Sequence, residues 1–348
     1  MHAWIWMVPN TMQKIHFISD KLKTDYGQKI YKLSLQSGCT CPNRDGSKGT
    51  GGCTFCSEGG SGDFAAPLTR PITTIDSATM THITGTNVSP TTHIDIDCFL
   101  SCSSLSEQIK YAKSLVDSKI SSKIDPKDRR YIAYFQSFSN TYGDFNKLKA
   151  LYTEAINRPE IVILSIGTRP DCISDEMLQL LSELNRIKPV WIELGLQTIH
   201  ERTAARINRC YSLSCFDETY HKLKSAGLTV ITHVILGLPG ETHEDMYETI
   251  RYLAGLTPTL DGIKLQLLHI LKGTRLYDEY LDEPFHIMSL DEYIDVLINC
   301  IRILPEETII HRLTGDGPKK LLVEPIWSGN KKMVMNTINK KLHETKLV

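Results

Sequence analysis

Strand-like and helix-like segments alternate along most of this chain, and that alternation constrains the fold more than any other feature. Six short apolar runs are separated by segments with helical periodicity, and the runs span residues 29–36, 131–138, 160–168, 189–197, 228–238 and 262–270. Strands that are apolar at nearly every position are typical of parallel sheets covered on both faces. Because six βα units are too few for a closed eight-unit barrel, the sequence predicts an α/β fold with an open, partial (βα)6 barrel.

The alternation weakens after Leu271, which indicates how the chain is organised. We predict an N-terminal segment at 1–28, a core barrel at 29–270 and a small C-terminal extension at 271–348 with a basic end. Within the core, residues 71–104 are predicted to be a flexible loop insertion. Thirteen of these 34 residues are Ser or Thr and none is Lys or Arg, so the segment has little to bury. The alternative is a second metal site, built from His82, His93, Asp95, Asp97, Cys98 and Cys102.

A glycine-rich loop with three cysteines directly follows the first strand. Cys53 and Cys56 form a Cys-x-x-Cys pair, and Cys41 lies upstream across a span rich in glycine. Thiolates hold iron–sulfur clusters, and glycines let the backbone approach a bulky cofactor. In parallel sheets, ligands bind at the carboxyl ends of the strands, where this loop is predicted to lie. Three thiolates would leave one iron of a four-iron cluster open for a substrate or cosubstrate.

A structural zinc site is the main alternative for this loop. Structural zinc takes four protein ligands, and Cys39 could supply the fourth. We predict instead that Cys39 is a packing residue and not a ligand. If Cys39 did bind, the site would be closed.

Composition excludes several other classes of protein. The net charge of −1 provides no global footprint for nucleic acid. Ten irregularly spaced cysteines do not resemble a disulfide framework and favour a reducing compartment. No apolar run approaches the ~20 residues that span a bilayer, and the N-terminus lacks the pattern of a signal peptide. The expectation is a cytoplasmic protein that does not contact membranes.

Eight segments, in order, resemble the radical S-adenosylmethionine superfamily, whose fold is a partial (βα)6 barrel. They read TCPNRDG…GGCTFC, YFQSFSNTY, SIGTRPDC, WIELGLQT, RINR, HVILGLPGET, KLQLLHILKGT and HRLTGDGPKK…PIW. The long gap between the first two cysteines is similar to the branch of the Elongator catalytic subunit, and in particular to the bacterial YtqA/YhcC group. The resemblance covers the chain from about Lys14 onward, apart from residues 71–104.

The resemblance implies cofactors and site residues. Cys41, Cys53 and Cys56 would ligate a [4Fe-4S] cluster, and S-adenosylmethionine would bind its open iron and yield a 5'-deoxyadenosyl radical. Six further positions match residues that contact the cosubstrate in the family: Gln136, Glu193, Gln197, Arg209, Gly237 and Leu238. The chain departs from the group after Arg209, where Cys210 and Tyr211 stand in place of the common Gly-His. The radical-quenching residue is not predicted.

The resemblance also implies a substrate, namely tRNA, with remodelling of the side chain at position 5 of the wobble uridine. An electron donor such as flavodoxin or ferredoxin is implied as a second partner. Candidate phosphate contacts are Arg44, Lys48, Arg129, Arg130, Lys319 and Lys320. Two alternatives remain open at this point: a radical enzyme acting on a small metabolite or a protein, and a non-catalytic closed-cluster or zinc protein that binds RNA.

Overall fold

The computed structural model describes residues 15–60, 65–66, 104–315 and 317–348. The predicted insertion at 71–104, with its alternative metal ligands, lies outside the described residues except for Ser104. The Ser104 side chain accepts a hydrogen bond from the backbone N–H of Glu107 and caps the following helix. None of the described helices is both long enough and apolar enough to cross a bilayer.

A seven-stranded sheet in the order β1-β2-β3-β4-β5-β6-β8 forms the centre of the molecule, and each neighbouring pair is parallel. Its strands are β1 (Tyr31–Leu35), β2 (Tyr131–Phe135), β3 (Ile161–Thr168), β4 (Val190–Gln197), β5 (Thr229–Leu236), β6 (Gly262–Leu267) and β8 (Ile309–Arg312). Two short strands, β7 (Ile270–Leu271) and β9 (Leu322–Glu324), pair separately and are antiparallel. The predicted partial barrel of parallel strands is therefore confirmed.

Helices connect and cover the strands. They are α1 (Ile18–Tyr26), α2 (Leu105–Val116), α3 (Phe145–Asn157), α4 (Asp175–Asn185), α5 (Glu201–Arg206), α6 (Leu213–Ser225), α7 (His243–Ala254), α8 (Arg275–Asp282), α9 (Leu290–Ile303) and α10 (Lys331–Glu344). The helix α3 shows why these segments are helical. Asp144 caps its first turn, and Leu148, Tyr152 and Ile156 recur at helical spacing and are buried. Burying each such side chain contributes about 1.5–3 kcal/mol.

The strand β8 is an addition to the six predicted strands. Its four residues include His311 and Arg312, so no long apolar run marks it in the sequence. The strand forms because helix α9 returns the chain to the edge of β6, where Ile309 pairs with Gly262. The segment after residue 271 thus contributes to the central sheet.

The inner face of the sheet is built in layers, because alternate residues of a strand point to the same side. The lowest layer is apolar and contains Ile132, Ile163, Trp191 and Ile231, with Leu22 of α1 packed against it. Two residues further along β2 and β4, the polar side chains Tyr134 and Glu193 form the next layer. Gln136 and Gly195 continue the same face toward the carboxyl ends of the strands, where the cysteine loop lies.

Candidate active site

A single cavity at the carboxyl ends of the strands collects most of the predicted site. It has a volume of about 1460 Å³ including its open mouth. Its wall contains the three cysteines of the loop together with side chains from β2 to β6 and from β8. The cavity therefore runs from the cysteine loop down to the polar layer of the barrel.

The cysteine loop is held by its own backbone and by Asn43. The Cys41 carbonyl accepts hydrogen bonds from the N–H groups of Arg44 and Asp45, and the Cys53 carbonyl accepts one from Cys56. The Asn43 amide donates to the Asn208 carbonyl and lies 3.8 Å from Cys53 Sγ. Gly49 allows this packing, since a Cβ at that position would lie 2.3 Å from Asn43 Oδ1. These contacts fix the loop beside the cavity, whose wall includes all three cysteines.

Positive charge faces the thiols. The pKa of Cys53 falls to about 7, mainly because its sulfur accepts a hydrogen bond from Cys56. Burial raises this pKa, but Arg169, Asn43 and Arg44 lower it further. The pKa of Cys56 is raised well above its ordinary value because that thiol donates to Cys53 and is buried. The Arg169 guanidinium is held by two hydrogen bonds of 2.9 Å to Asp171. The region accordingly suits a group with negatively charged sulfur.

The remaining cysteines near the loop do not line the cavity. The Cys39 side chain packs against the main core, and a Cβ on Gly143 would lie 3.1 Å from its sulfur. Burial raises the pKa of the Cys39 thiol. Cys210 is exposed, has a φ of 61°, and its thiol lies 3.2 Å from the Asn208 side-chain oxygen. Three cysteine thiols thus reach the cavity among the described residues, which fits a cluster with one open iron better than a closed zinc site.

Gln136 and Gln197, two of the residues expected to contact the cosubstrate, line this cavity. Gln197 ends β4 with a φ of 69°, an unusual conformation for a residue other than glycine. Its side-chain oxygen is buried and has no hydrogen-bond partner among the described residues. Since buried polar atoms are rarely left unpaired, this oxygen is suited to accept a hydrogen bond from a bound ligand.

Glu193 also reaches the cavity, but its carboxylate is already occupied by protein groups. Oε1 accepts from Lys32 Nζ at 2.7 Å and from Ser165 Oγ at 2.9 Å. Oε2 lies 2.9 Å from His233 Nε2 and accepts from Lys264 Nζ. Burial opposes ionisation, but Lys264 and Lys32 outweigh it and hold the pKa of Glu193 well below its ordinary value. Glu193 is therefore engaged in a buried charge network, and its expected contact with the cosubstrate stays a prediction.

The structure does not bring the other three expected residues to the cavity wall. Arg209 is completely buried, and its guanidinium donates to the carbonyl oxygens of Leu196, Thr198 and Tyr211. It fixes the backbone at the end of β4, and its guanidinium also lies 3.5 Å from a carboxylate oxygen of Glu201.

Gly237 and Leu238 lie in the turn between β5 and α7 and line a separate cavity. Leu238 is 1% exposed and packs in an apolar cluster with Ile235 and Leu268. Gly237 has a φ of 87°, a backbone conformation that favours glycine.

Several cavity residues were not predicted from the sequence. They are Lys264, Arg312, Tyr134 and Tyr211. The sequence contains a signal for Lys264, because this lysine interrupts the largely apolar strand β6. Tyr211 supports the cavity wall: its hydroxyl donates to the Gly195 carbonyl at 2.9 Å, and Arg169 stacks on its ring at 4.8 Å. His269 also lines the cavity.

Comparisons with known proteins agree with this architecture. The profile of the Radical SAM superfamily matches residues 43–253, and that of the Radical_SAM C-terminal domain matches residues 260–344. The protein YtqA of Bacillus subtilis (strain 168) is 38% identical over 333 residues, covering 96% of this chain and 91% of YtqA.

Two further matches extend to Elongator proteins. Elongator complex protein 3 of Schizosaccharomyces pombe is 28% identical over 168 residues, covering 48% of this chain and 30% of that protein. The structure of an N-terminally truncated Elp3 from Methanocaldococcus infernus shares the fold, with a TM-score of 0.56 at 19% identity. It covers 67% of this chain and 58% of that one. The chain belongs to the radical S-adenosylmethionine superfamily, in its Elp3-like branch, and is an enzyme that uses a [4Fe-4S] cluster and S-adenosylmethionine.

Proposed function

We propose that Cys41, Cys53 and Cys56 hold the cluster and that the substrate is a tRNA whose wobble uridine is remodelled at the position-5 side chain. One observation carries the cluster assignment: these three thiols line the cavity, whereas Cys39 and Cys210 do not. With S-adenosylmethionine bound, the cluster supplies one-electron chemistry that generates a carbon radical able to remove hydrogen from a substrate. An electron donor such as flavodoxin or ferredoxin belongs to the same proposal.

The surrounding residues have distinct tasks in this proposal. Arg44 and Arg169 compensate the negative charge of the thiolates. Gln136 and Gln197 hydrogen-bond polar groups of the cosubstrate from the ends of β2 and β4. The barrel wall excludes water from the reactive centre, and Tyr211 keeps that wall closed beside Gly195.

Basic side chains around the mouth support a nucleic-acid substrate. Arg275 approaches the cysteine loop, where a Cβ on Gly51 would lie 3.5 Å from its guanidinium. Lys319 and Lys331 line a cleft that shares His269 with the wall of the main cavity. Such side chains can contact the phosphates of a tRNA whose target base enters the cavity. The sequence similarity to Elongator complex protein 3 points to the same substrate class.

The six residues predicted to contact phosphates differ in position and exposure. Lys319 and Lys320 are exposed near the mouth, whereas Arg44 is turned inward and donates to the carbonyl oxygen of Ser57. Arg129 and Arg130 precede β2 and so lie at the opposite end of the sheet from the cysteine loop. Arg129 is also paired with Asp117 at 3.2 Å. Lys48 is paired with Asp171 at 3.0 Å and is half exposed.

The cluster assignment is tested by anaerobic reconstitution of Cys53→Ala, with Cys39→Ala as the matched control. Both changes remove one thiol, but only the first removes one from the cavity. We expect about four irons per chain in the wild type and in the control, and a marked loss of iron in Cys53→Ala. The paramagnetic resonance spectrum of the reduced wild-type cluster should change when S-adenosylmethionine is added. Full iron content in Cys53→Ala would contradict the assignment.

The substrate is tested by mass spectrometry of tRNA nucleosides from a deletion strain. We expect a precursor of the position-5 modification to accumulate, and expect the plasmid-borne wild type and Cys39→Ala to remove it. Cys53→Ala should not remove it. Unchanged wobble uridines in the deletion strain would reject tRNA as the substrate and favour a small metabolite or a protein.

A further inference from the structure

In the part of the chain that the structure describes, the polar layer of the barrel carries more positive charge than its one carboxylate can balance. Lys32 and Lys264 both bind Glu193, which is the one carboxylate among the described residues of the cavity wall. Arg312 is a third cation in this layer, since it is the residue of β8 that lies opposite Lys264 of β6 in the register of the sheet. No described carboxylate lies within ion-pair distance of Arg312.

The two histidines of this layer do not change the balance. Burial and the charge of Lys264 lower the pKa of His233 to about 4, although its hydrogen bond to Glu193 has the opposite effect. Burial and the charge of Lys32 hold the pKa of His311 well below its ordinary value. Both rings are therefore neutral near pH 7, and among the described residues of this layer three cations face one carboxylate.

Burying like charges together is costly unless an anion joins them. The cost is visible at Lys264. Burial is the main cause that lowers its pKa, and the charges of Lys32 and Arg312 lower it further, whereas Glu193 raises it. The charge of Arg312 also acts on Tyr134 and His233. A fold that needed only a stable core would place apolar side chains here, as the layer below does with Ile132 and Trp191.

The cavity supplies the space for a bound anion. Lys264 and Arg312 both line it, and so do the three cysteines. The cations that act on Cys53 are different ones, Arg169 and Arg44, so the deep positive region is separate from the region that faces the thiols. A molecule that enters from the mouth meets the cysteines first and Arg312 with Lys264 deeper in the barrel.

We propose that Arg312 and Lys264 form a subsite for an anionic oxygen group, a carboxylate or a phosphate, on the molecule that enters the cavity. Glu193 holds Lys264 in place, and the Arg312 guanidinium provides the fork that binds two oxygens. The subsite orients its ligand with one end anchored deep in the barrel and the other near the thiols. This inference deepens the proposed function by naming a chemical group of the substrate, but its test does not depend on tRNA.

The test measures thermal unfolding of the reconstituted full-length protein under argon, with increasing sodium acetate or sodium phosphate. Sodium chloride keeps the ionic strength constant. Arg312→Gln is compared with Lys340→Gln, which removes an exposed cation of α10. We expect a saturable rise in melting temperature for the wild type and for Lys340→Gln, and an apparent dissociation constant about tenfold weaker for Arg312→Gln.

Each outcome bears on the proposal. A response to acetate alone identifies a carboxylate ligand, a response to phosphate alone identifies a phosphate, and a response to both supports a subsite shared by the two. Without added anion, Arg312→Gln should be at least as stable as the wild type because one like charge is removed. No saturable response in the wild type, an unchanged response in Arg312→Gln, or a destabilised anion-free Arg312→Gln would overturn the proposal. Anion binding together with unchanged tRNA nucleosides would reject tRNA and leave the subsite intact.

Discussion

Removal of the charge of Glu193 should destabilise the protein strongly. The side chain of Glu193 is 0% exposed and that of Lys264 is 2% exposed, so neither charge can be solvated after its partner is lost. Glu193→Gln keeps the volume but places an amide N–H₂ group where a carboxylate oxygen accepted from a cation. Breaking one side of a buried pair typically costs 3–5 kcal/mol, and we expect the free energy of unfolding to fall by about 4 kcal/mol at pH 7.

The pH dependence of the free energy of unfolding provides a second, independent test. Burial already lowers the pKa of Lys264 relative to the unfolded chain, and loss of Glu193 lowers it further. A lysine with a lowered folded pKa destabilises the protein most when both states are protonated, and this penalty disappears as the pH approaches the unfolded value. The folded pKa of Lys264 is lower in Glu193→Gln than in the wild type, so the deficit of the variant should shrink as the pH rises from pH 7 to about pH 9.5, both of which lie below the unfolded pKa of about 10.4.

The measurement is urea unfolding of the cluster-free protein followed by circular dichroism, for Glu193→Gln, Lys264→Met and the double variant. Because Lys264→Met leaves Lys32 to pair with the carboxylate, we expect it to cost less than Glu193→Gln. The double variant should be more stable than the sum of the two single effects predicts, by about 1–3 kcal/mol. A deficit below about 1 kcal/mol for Glu193→Gln, typical of exposed pairs, would refute the assignment of a buried network.

Two further predictions concern residues around the cavity. Arg209→Met should lower the free energy of unfolding by about 3 kcal/mol, because carbonyl oxygens at the end of β4 lose a charged donor. If the variant is instead stable but binds S-adenosylmethionine more weakly in equilibrium dialysis, Arg209 contacts the cosubstrate. Asp171 is buried, which opposes its ionisation, but Arg169 and Lys48 together hold its pKa below the ordinary value of 3.8. The stability that Asp171 contributes is thus present at pH 7 and lost as the pH falls through the folded pKa. Asp171→Asn should cost about 1.5–3 kcal/mol at pH 7, and urea unfolding should show this difference narrowing below pH 3.8; a constant difference would contradict the pairing.

The fold was largely predictable because its signal is local. Apolar strands alternate with helical periodicity along the chain, and that pattern requires a parallel sheet covered by helices. The exception is β8, whose four residues include His311 and Arg312. It becomes a strand only because α9 brings it against β6, which is a tertiary effect.

The site was predictable in part, and the division follows the range of the interactions. Cys41, Cys53 and Cys56 are close in sequence, so their spacing alone indicates a shared site. That Gln136 and Gln197 share a cavity wall was predictable because strand ends in a parallel sheet meet at one edge.

The position of each strand end does not reveal which polar groups are already paired, however. Arg209 is used by three carbonyl oxygens, and Glu193 by groups from β1, β3, β5 and β6.

The sequence by itself determined six of the seven strands of the central sheet, the cysteine loop and the end of the sheet at which that loop lies, because each depends on residues near one another in the chain. Only the tertiary structure decided the charge balance of the barrel. Lys32, Glu193, Lys264 and Arg312 come from four separate strands and are brought together when the sheet curves. Charge compensation depends on distances of a few ångströms across those strands, which no local pattern specifies.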